Sequence, residues 1–408
     1  MNHMSHPGGL AELHARLDLD DKKKPHPNLG NMMLILALDP LLEGMCGHCD
    51  FRDISLLLKA PPTSNPDDQA APGPYPRPWT RSDVALACAY VQRTYAHGFR
   101  RETVEDGMEA EAARNRFHPV RDYLDGLQWD GSPRAHHLLT RGFGAAETNY
   151  TRAVGRKLLI AAVRRVRQPG CKFDHVPVAQ GAQGMGKSTA WAALFGLDWF
   201  SDALPDDLGD KDAAMALRGV WGLEMAELTQ LLASEPEAIK AFITRAVDRY
   251  RPPYGRVVLE VPRQGLLIGT TNAEEWLRDA TGNRRFWPFD CGTLDIEWIR
   301  ASRDQLWAEA SAAEAAGEPH WLDEAEERHE ASAQQEDRLV TDPWQAPVER
   351  YLSGRREASA AELLLNAIQM PTHQHNRQHQ MRVTAILTRM RWRKRRTNKG
   401  NHWEAPWS

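Results

Sequence analysis

Gly181-Ala-Gln-Gly-Met-Gly-Lys187-Ser188-Thr189 decides the reading of this chain of 408 residues. It fits the spacing G-x-x-x-x-G-K-[ST], and its flanks agree with its letters. His175-Val-Pro-Val-Ala-Gln180 before it reads as a short buried strand. Thr189-Ala-Trp-Ala-Ala-Leu-Phe195 after it reads as the first turns of a helix. Glycines at 181, 184 and 186 let the backbone curl until several N–H groups point inward, the geometry that phosphate oxygens need. The helix N-terminus adds partial positive charge. In such a loop Lys187 reaches the β- and γ-phosphates, the Ser188 hydroxyl holds Mg²⁺, and Thr189 completes the cradle. The expectation is an α/β P-loop NTPase that binds ATP with Mg²⁺.

Hydrolysis needs a carboxylate near the γ-phosphate. Val220-Trp-Gly-Leu-Glu224-Met-Ala-Glu227 is an apolar strand ending in acid. Either carboxylate suits the metal–water site; Glu224, at the strand end, is the preferred one, with Glu227 as supporting acid. A second apolar strand, Gly265-Leu-Leu-Ile-Gly-Thr-Thr-Asn272, ends in an amide. Asn272 is placed to bond the γ-phosphate and the attacking water, or to cap the helix that follows. Thr281-Gly-Asn-Arg-Arg-Phe-Trp-Pro288 then supplies Arg284 and Arg285 as candidates for an arginine finger acting from a neighbouring subunit.

The rest of the chain is ordinary for a globular protein, with 42% hydrophobic and 26% charged residues. A net charge of −4 means that any nucleic-acid affinity must come from local patches. No apolar run suits a membrane span or secretory signal, and five cysteines give no disulfide framework, so a reducing cytoplasm is expected. Cys46-Gly-His-Cys49 lacks the second ligand pair of a structural zinc site and reads as two unrelated thiols near a turn.

Residues 1–28 are polar and predict a disordered leader. Residues 29–79 predict a short helix at 31–38 and a Pro-rich linker, and 80–170 a mainly helical region. Strands are expected at 176–180, 219–224, 257–261, 265–270 and 286–289, within an ATPase domain spanning 171–340. Between the acid and Asn strands lies Arg249-Tyr-Arg-Pro-Pro-Tyr-Gly-Arg256, flanked by Arg245 and Arg263. Arg249, Arg251, Tyr254 and Arg256 suit backbone contact and base stacking on single-stranded DNA. In 345–408, helices at 359–368 and 378–390 precede a basic hairpin carrying Arg391, Arg393, Lys394, Arg395 and Arg396. Helix, helix and basic hairpin outline a C-terminal winged-helix-like domain for duplex DNA.

Taken together, the chain resembles the virulence-associated protein E family of phage- and prophage-encoded helicase-like ATPases. The resemblance rests on Phe117-His-Pro-Val-Arg-Asp-Tyr-Leu-Asp125, Leu127-Gln-Trp-Asp-Gly131, Pro169-Gly-Cys-Lys172, the acids of 221–228, Tyr250-Arg-Pro-Pro-Tyr254, Gly269-Thr-Thr-Asn272 and 281–288. It implies a core related to AAA+ and superfamily 3 helicases, a homo-oligomer with a hexameric ring among its forms, and work beside a separate primase. No primase domain is recognisable in the sequence. Three functions follow as expectations: a DNA helicase or translocase, an ATP-switched DNA-binding regulator without unwinding, and an ATPase acting on protein or small molecules.

Overall fold

The computed structural model describes residues 9–63, 73–205, 207–208, 211–234, 236–251, 257–277, 283–397 and 400–406. Contacts divide the chain into one unit of Met1–Ala273 with Arg284–Gln334, and a second of Glu274–Asn283 with Gln335–Ser408.

The first unit is built on five parallel strands in the order Phe286–Asp290, Val176–Gln180, Leu266–Thr271, Gly222–Met225, Phe200–Ser201. A parallel sheet is covered on both faces, so its strands read as unbroken apolar runs. Val176–Gln180, Gly222–Met225 and Leu266–Thr271 are accordingly buried at every position. The helix Asn149–Arg167 starts on a capping box between Thr148 and Thr151. Ile296–Ala315 starts where the Asp295 side chain accepts from Trp298 N. Two tryptophans tie the layers together: Trp221 Nε1, just before the strand Gly222–Met225, donates to Ala162 O at 3.0 Å, and Trp307 Nε1 links two helices by donating to Leu194 O at 2.9 Å. Their ring centroids lie 4.1 Å apart with the planes tilted by 32°, so large apolar bodies are buried with their polar tips satisfied.

Three expectations fail in the N-terminal part. Gly9–Arg16 is a helix with Leu13 fully buried against Met32, Ile35 and Leu36, so this part of the expected leader is ordered by apolar packing that its polar composition hid. Cys46–Cys49 is a strand paired antiparallel with Ile54–Leu57, where a turn was expected. Within the 80–170 region, expected to be mainly helical, the stretch at 134–140 forms only short 3₁₀ and π turns, Ala135–His137 and Leu138–Gly142.

In the second unit, Gln345–Leu352 precedes the strand Glu357–Ser359, and Arg377–Arg389 precedes the hairpin Arg393–Thr397 and Gly400–Glu404. The three strands form one antiparallel sheet with Gly400–Glu404 in the centre. Val348, Leu363, Leu364, Val383, Ile386, Leu387, Trp392 and Trp403 form its core. The expected helix at 359–368 is instead one α turn, Ala360–Glu362, running into a π turn, Leu363–Ala367. This widening leaves Leu365 exposed. Among the described residues no helix is long and apolar enough to cross a membrane.

Candidate functional site

The carboxyl ends of the parallel strands converge on a cavity of about 440 Å³. It is lined by residues 183–189, by Glu224, Ala226 and Glu227, and by Thr270, Thr271 and Asn272. Ligands of open α/β sheets bind at this edge, where the loops diverge. The loop 181–186 joins Val176–Gln180 to the helix Lys187–Phe195. Gly184 and Gly186 hold φ of +80° and +91°, a region that costs other residues about 1–2 kcal/mol. A Cβ on Gly184 would meet nothing within 4 Å, so conformation and not space demands glycine there.

The structure brings together most of the residues expected to act. Lys187 is buried, and its Nζ donates to Gly181 O at 2.7 Å and Ala182 O at 2.8 Å, so the cation is held against the loop by neutral acceptors. Ser188 Oγ donates to Glu224 Oε1 at 2.8 Å. Glu224 is fully buried, and its Oε2 has no hydrogen-bond partner among the described residues. A buried carboxylate oxygen left bare costs free energy unless something pairs with it. Glu227 is exposed at φ +48°, at the start of the helix Leu228–Ser234, and Asn272 is exposed at the cavity edge. Strained backbone at a cleft is a common companion of a binding role.

Thr270 is the residue that motif reading overlooked. Its hydroxyl donates to Glu224 Oε1, so the acid's one partnered oxygen is fixed from both sides of the cavity. A signal for it existed: strand alternation puts Thr270 on the same face as Asn272.

Other expectations come apart. Arg284 and Arg285 lie at the start of Phe286–Asp290, whose Phe286 pairs with Val176 while Asp290 pairs with Gln180 beside the loop. They are thus a strand length, roughly 15 Å, from their own chain's cavity and do not line it. On the hairpin Val247–Tyr250 with Leu259–Pro262, Arg249 is exposed near Glu260 at 3.6 Å, and Arg251 is exposed. Tyr254 and Arg256 lie outside the described residues. Tyr250 is buried, so it offers no face for base stacking. Arg263 is buried too, its guanidinium donating to both oxygens of Asp248 at 2.7 and 2.8 Å. Asp248 also takes the half-exposed Arg245 at 3.3 Å, so one carboxylate engages both flanking arginines and only Arg263 leaves the surface.

In the C-terminal unit Arg391, Arg393 and Lys394 are exposed, Arg395 pairs with Glu404 at 2.6 Å, and the Arg396 side chain lies outside the described residues. Cys46 and Cys49 sit on a strand and not at a turn, and burial pushes the Cys46 thiol up to about 12.

Similar solved structures include the apo NrS-1 C terminal region, at 13% identity and a TM-score of 0.40, covering 65% of this chain and 65% of that one. The A form of the apo NrS-1 C terminal region is 10% identical with a TM-score of 0.42, covering 69% and 78%. This chain thus spans just under two thirds of the first. Among curated proteins nothing matches. The model of the virulence-associated protein E-like domain matches residues 124–339, more than half of the sequence, and the chain belongs to that family.

Proposed function

We propose that this chain is a Mg²⁺-dependent ATPase acting on DNA in the replication of a phage or other mobile element, as a helicase or translocase beside a separate primase. The observation that carries the reading is Glu224: fully buried, fixed by Ser188 and Thr270 on one oxygen, bare on the other, and lining the cavity beside the loop. That donor set fits a hard cation, which prefers oxygen ligands. Ser188 Oγ and Glu224 would hold Mg²⁺, and bound Mg²⁺ supplies charge neutralisation to the phosphates. Lys187 leaves the Gly181 and Ala182 carbonyls to bind phosphate oxygens, joined by the N–H groups that open the helix Lys187–Phe195. Glu224 polarises the attacking water, Asn272 orients it, and Glu227 supports the acid.

The AAA+ and superfamily 3 relation is part of this proposal. It is supported by the sheet order, in which the Asn272 strand separates the loop strand from the acid strand. The distance of Arg284 and Arg285 from their own cavity supports a finger supplied across a homo-oligomer, a hexameric ring being one such form. The winged-helix assignment is supported by the element order of the C-terminal unit and by the absence of acidic residues between Glu362 and Glu404. A DNA-binding regulator switched by ATP is the second reading, favoured by the separate apolar core of that unit.

The test is Mg²⁺-dependent ATP hydrolysis with and without single-stranded and duplex DNA, with the oligomeric state measured in parallel by light scattering. DNA-stimulated turnover that Lys187→Ala abolishes is expected. Hydrolysis indifferent to DNA points to a protein or small-molecule substrate, DNA binding without strand displacement points to the regulator, and no hydrolysis at all overturns the enzyme reading.

A further inference from the structure

We infer that the exposed stripe of the helix Arg377–Arg389 reads base edges in the major groove, and that it selects a short A·T-rich duplex site with a G·C pair at one end. The inference rests on the duplex-binding reading above and goes beyond it, because phosphate contacts alone carry no sequence information.

The helix has two unlike faces. Val383, Ile386 and Leu387 are buried in the core of the unit. Arg377, Met381 and Thr388 recur at helical spacing on the opposite side, with Gln378 and Ala385 alongside and the half-buried Thr384 at the margin. Met381 is 62% exposed, a large apolar side chain with no cover within this unit. The Thr388 hydroxyl donates back to Thr384 O at 2.9 Å, so its donor is used within the helix and its apolar part is left for contact. The stripe therefore presents one guanidinium at its start, then an amide, a thioether, hydroxyls and methyl groups, and no carboxylate.

A face meant only to stay in solution is normally rich in both signs of charge. A face meant only for phosphates would repeat Lys and Arg. This one does neither, and its chemistry matches base edges. Arg pairs bidentately with guanine O6 and N7, Gln with adenine N6 and N7, and Ala, Thr or Met methyl groups pack on the thymine methyl.

Charge around the stripe suits a polyanion. No acidic residue lies between Glu362 and Glu404, while Arg389, Arg391, Arg393 and Lys394 are exposed at the end of the helix and on the hairpin after it. The helix is also held rigidly enough to read. Asn376 accepts from His379 N at 2.8 Å to cap its start. Arg382 forks onto Asp342 at 2.7 and 2.8 Å and lies 4.0 Å above the Trp344 ring. Arg382 is thereby a fixing residue and not a DNA contact.

The experiment is selection of bound duplexes from a pool with a randomised centre, on the full chain, followed by affinity measurement on the enriched duplex and on unselected pool duplex. The expected result is an A·T-rich motif with one terminal G·C pair. Gln378→Ala and Thr384→Ala should each lose about five- to a hundredfold in affinity for the enriched duplex while leaving pool affinity unchanged. Arg393→Ala should weaken both alike. Pool binding with no enriched motif, or a motif untouched by Gln378→Ala and Thr384→Ala, overturns base reading and leaves duplex binding standing. A motif dominated by G·C pairs overturns the proposed chemistry. Failure to bind any duplex overturns both readings, and a protein captured by the Met381 face in its place would mark it as a protein-docking surface.

Discussion

Glu224→Gln should separate stability from turnover in opposite directions. In the folded chain Glu224 Oε1 accepts from Ser188 Oγ and Thr270 Oγ1, while Oε2 is buried without a partner among the described residues. A glutamine can keep its carbonyl oxygen on those two hydroxyls and place its amide nitrogen where Oε2 stands. The substitution thus trades a bare buried carboxylate oxygen, worth several kcal/mol of desolvation, for an unpaired amide donor costing about 1–3 kcal/mol. Thermal unfolding without nucleotide should occur at the same temperature or higher. Turnover should fall about 10²- to 10⁴-fold, since positioned acid–base chemistry contributes that much. At 1.36 kcal/mol per decade this is about 3–5 kcal/mol of barrier. Binding through Lys187 and the loop amides remains, so ATP at about a hundred times its Kd should still stabilise the variant by about 2.7 kcal/mol. Differential scanning calorimetry with and without ATP, beside a phosphate-release assay, reads all three quantities. Turnover within tenfold of the unaltered chain refutes the catalytic role. A clearly lowered Tm without nucleotide shows that Glu224 is held for structure instead.

Three further outcomes follow from the geometry. Arg263→Ala should cost about 3–5 kcal/mol in denaturant unfolding, because Asp248 is left buried with only the 3.3 Å contact to Arg245; a loss below about 1 kcal/mol would show that the hairpin base relaxes freely. Turnover per chain should rise with protein concentration, and mixing Arg284→Ala or Arg285→Ala with Glu224→Gln should restore activity that neither has alone; concentration-independent turnover by a monomer would rule out a finger across subunits. Burial lowers His118, His175 and His320 from their ordinary 6.5. The unfolded chain therefore takes up protons first, so stability present above about pH 6.5 is lost as pH falls toward the folded values; Tm should drop between pH 7 and 5, less steeply in His118→Asn, and a flat profile would contradict this.

The parts legible in the sequence are those where one local rule acts alone. Strands buried on both faces read as apolar runs, so 176–180 emerged at its true bounds and 265–270 within one residue. The acid strand began three residues late because Gly219 takes φ +71° and turns the chain before Gly222 enters the sheet. Phe200–Ser201 carries only two residues of strand, too few for any period to register. The errors at the hairpin have a different origin. Counting arginines along a line cannot show that Asp248 serves Arg245 and Arg263 together, which only the folded hairpin brings about. Period two was nevertheless available there: Val247 and Arg249 face out while Asp248 and Tyr250 face in. Applied strand by strand, that alternation places Tyr250 on the buried face beside Asp248. Applied again to 266–271, it would have placed the Thr270 hydroxyl beside Asn272, on the face that holds Glu224. Spacing motifs reveal which residues meet a ligand; which residues hold those in place is written in the periodicity between them.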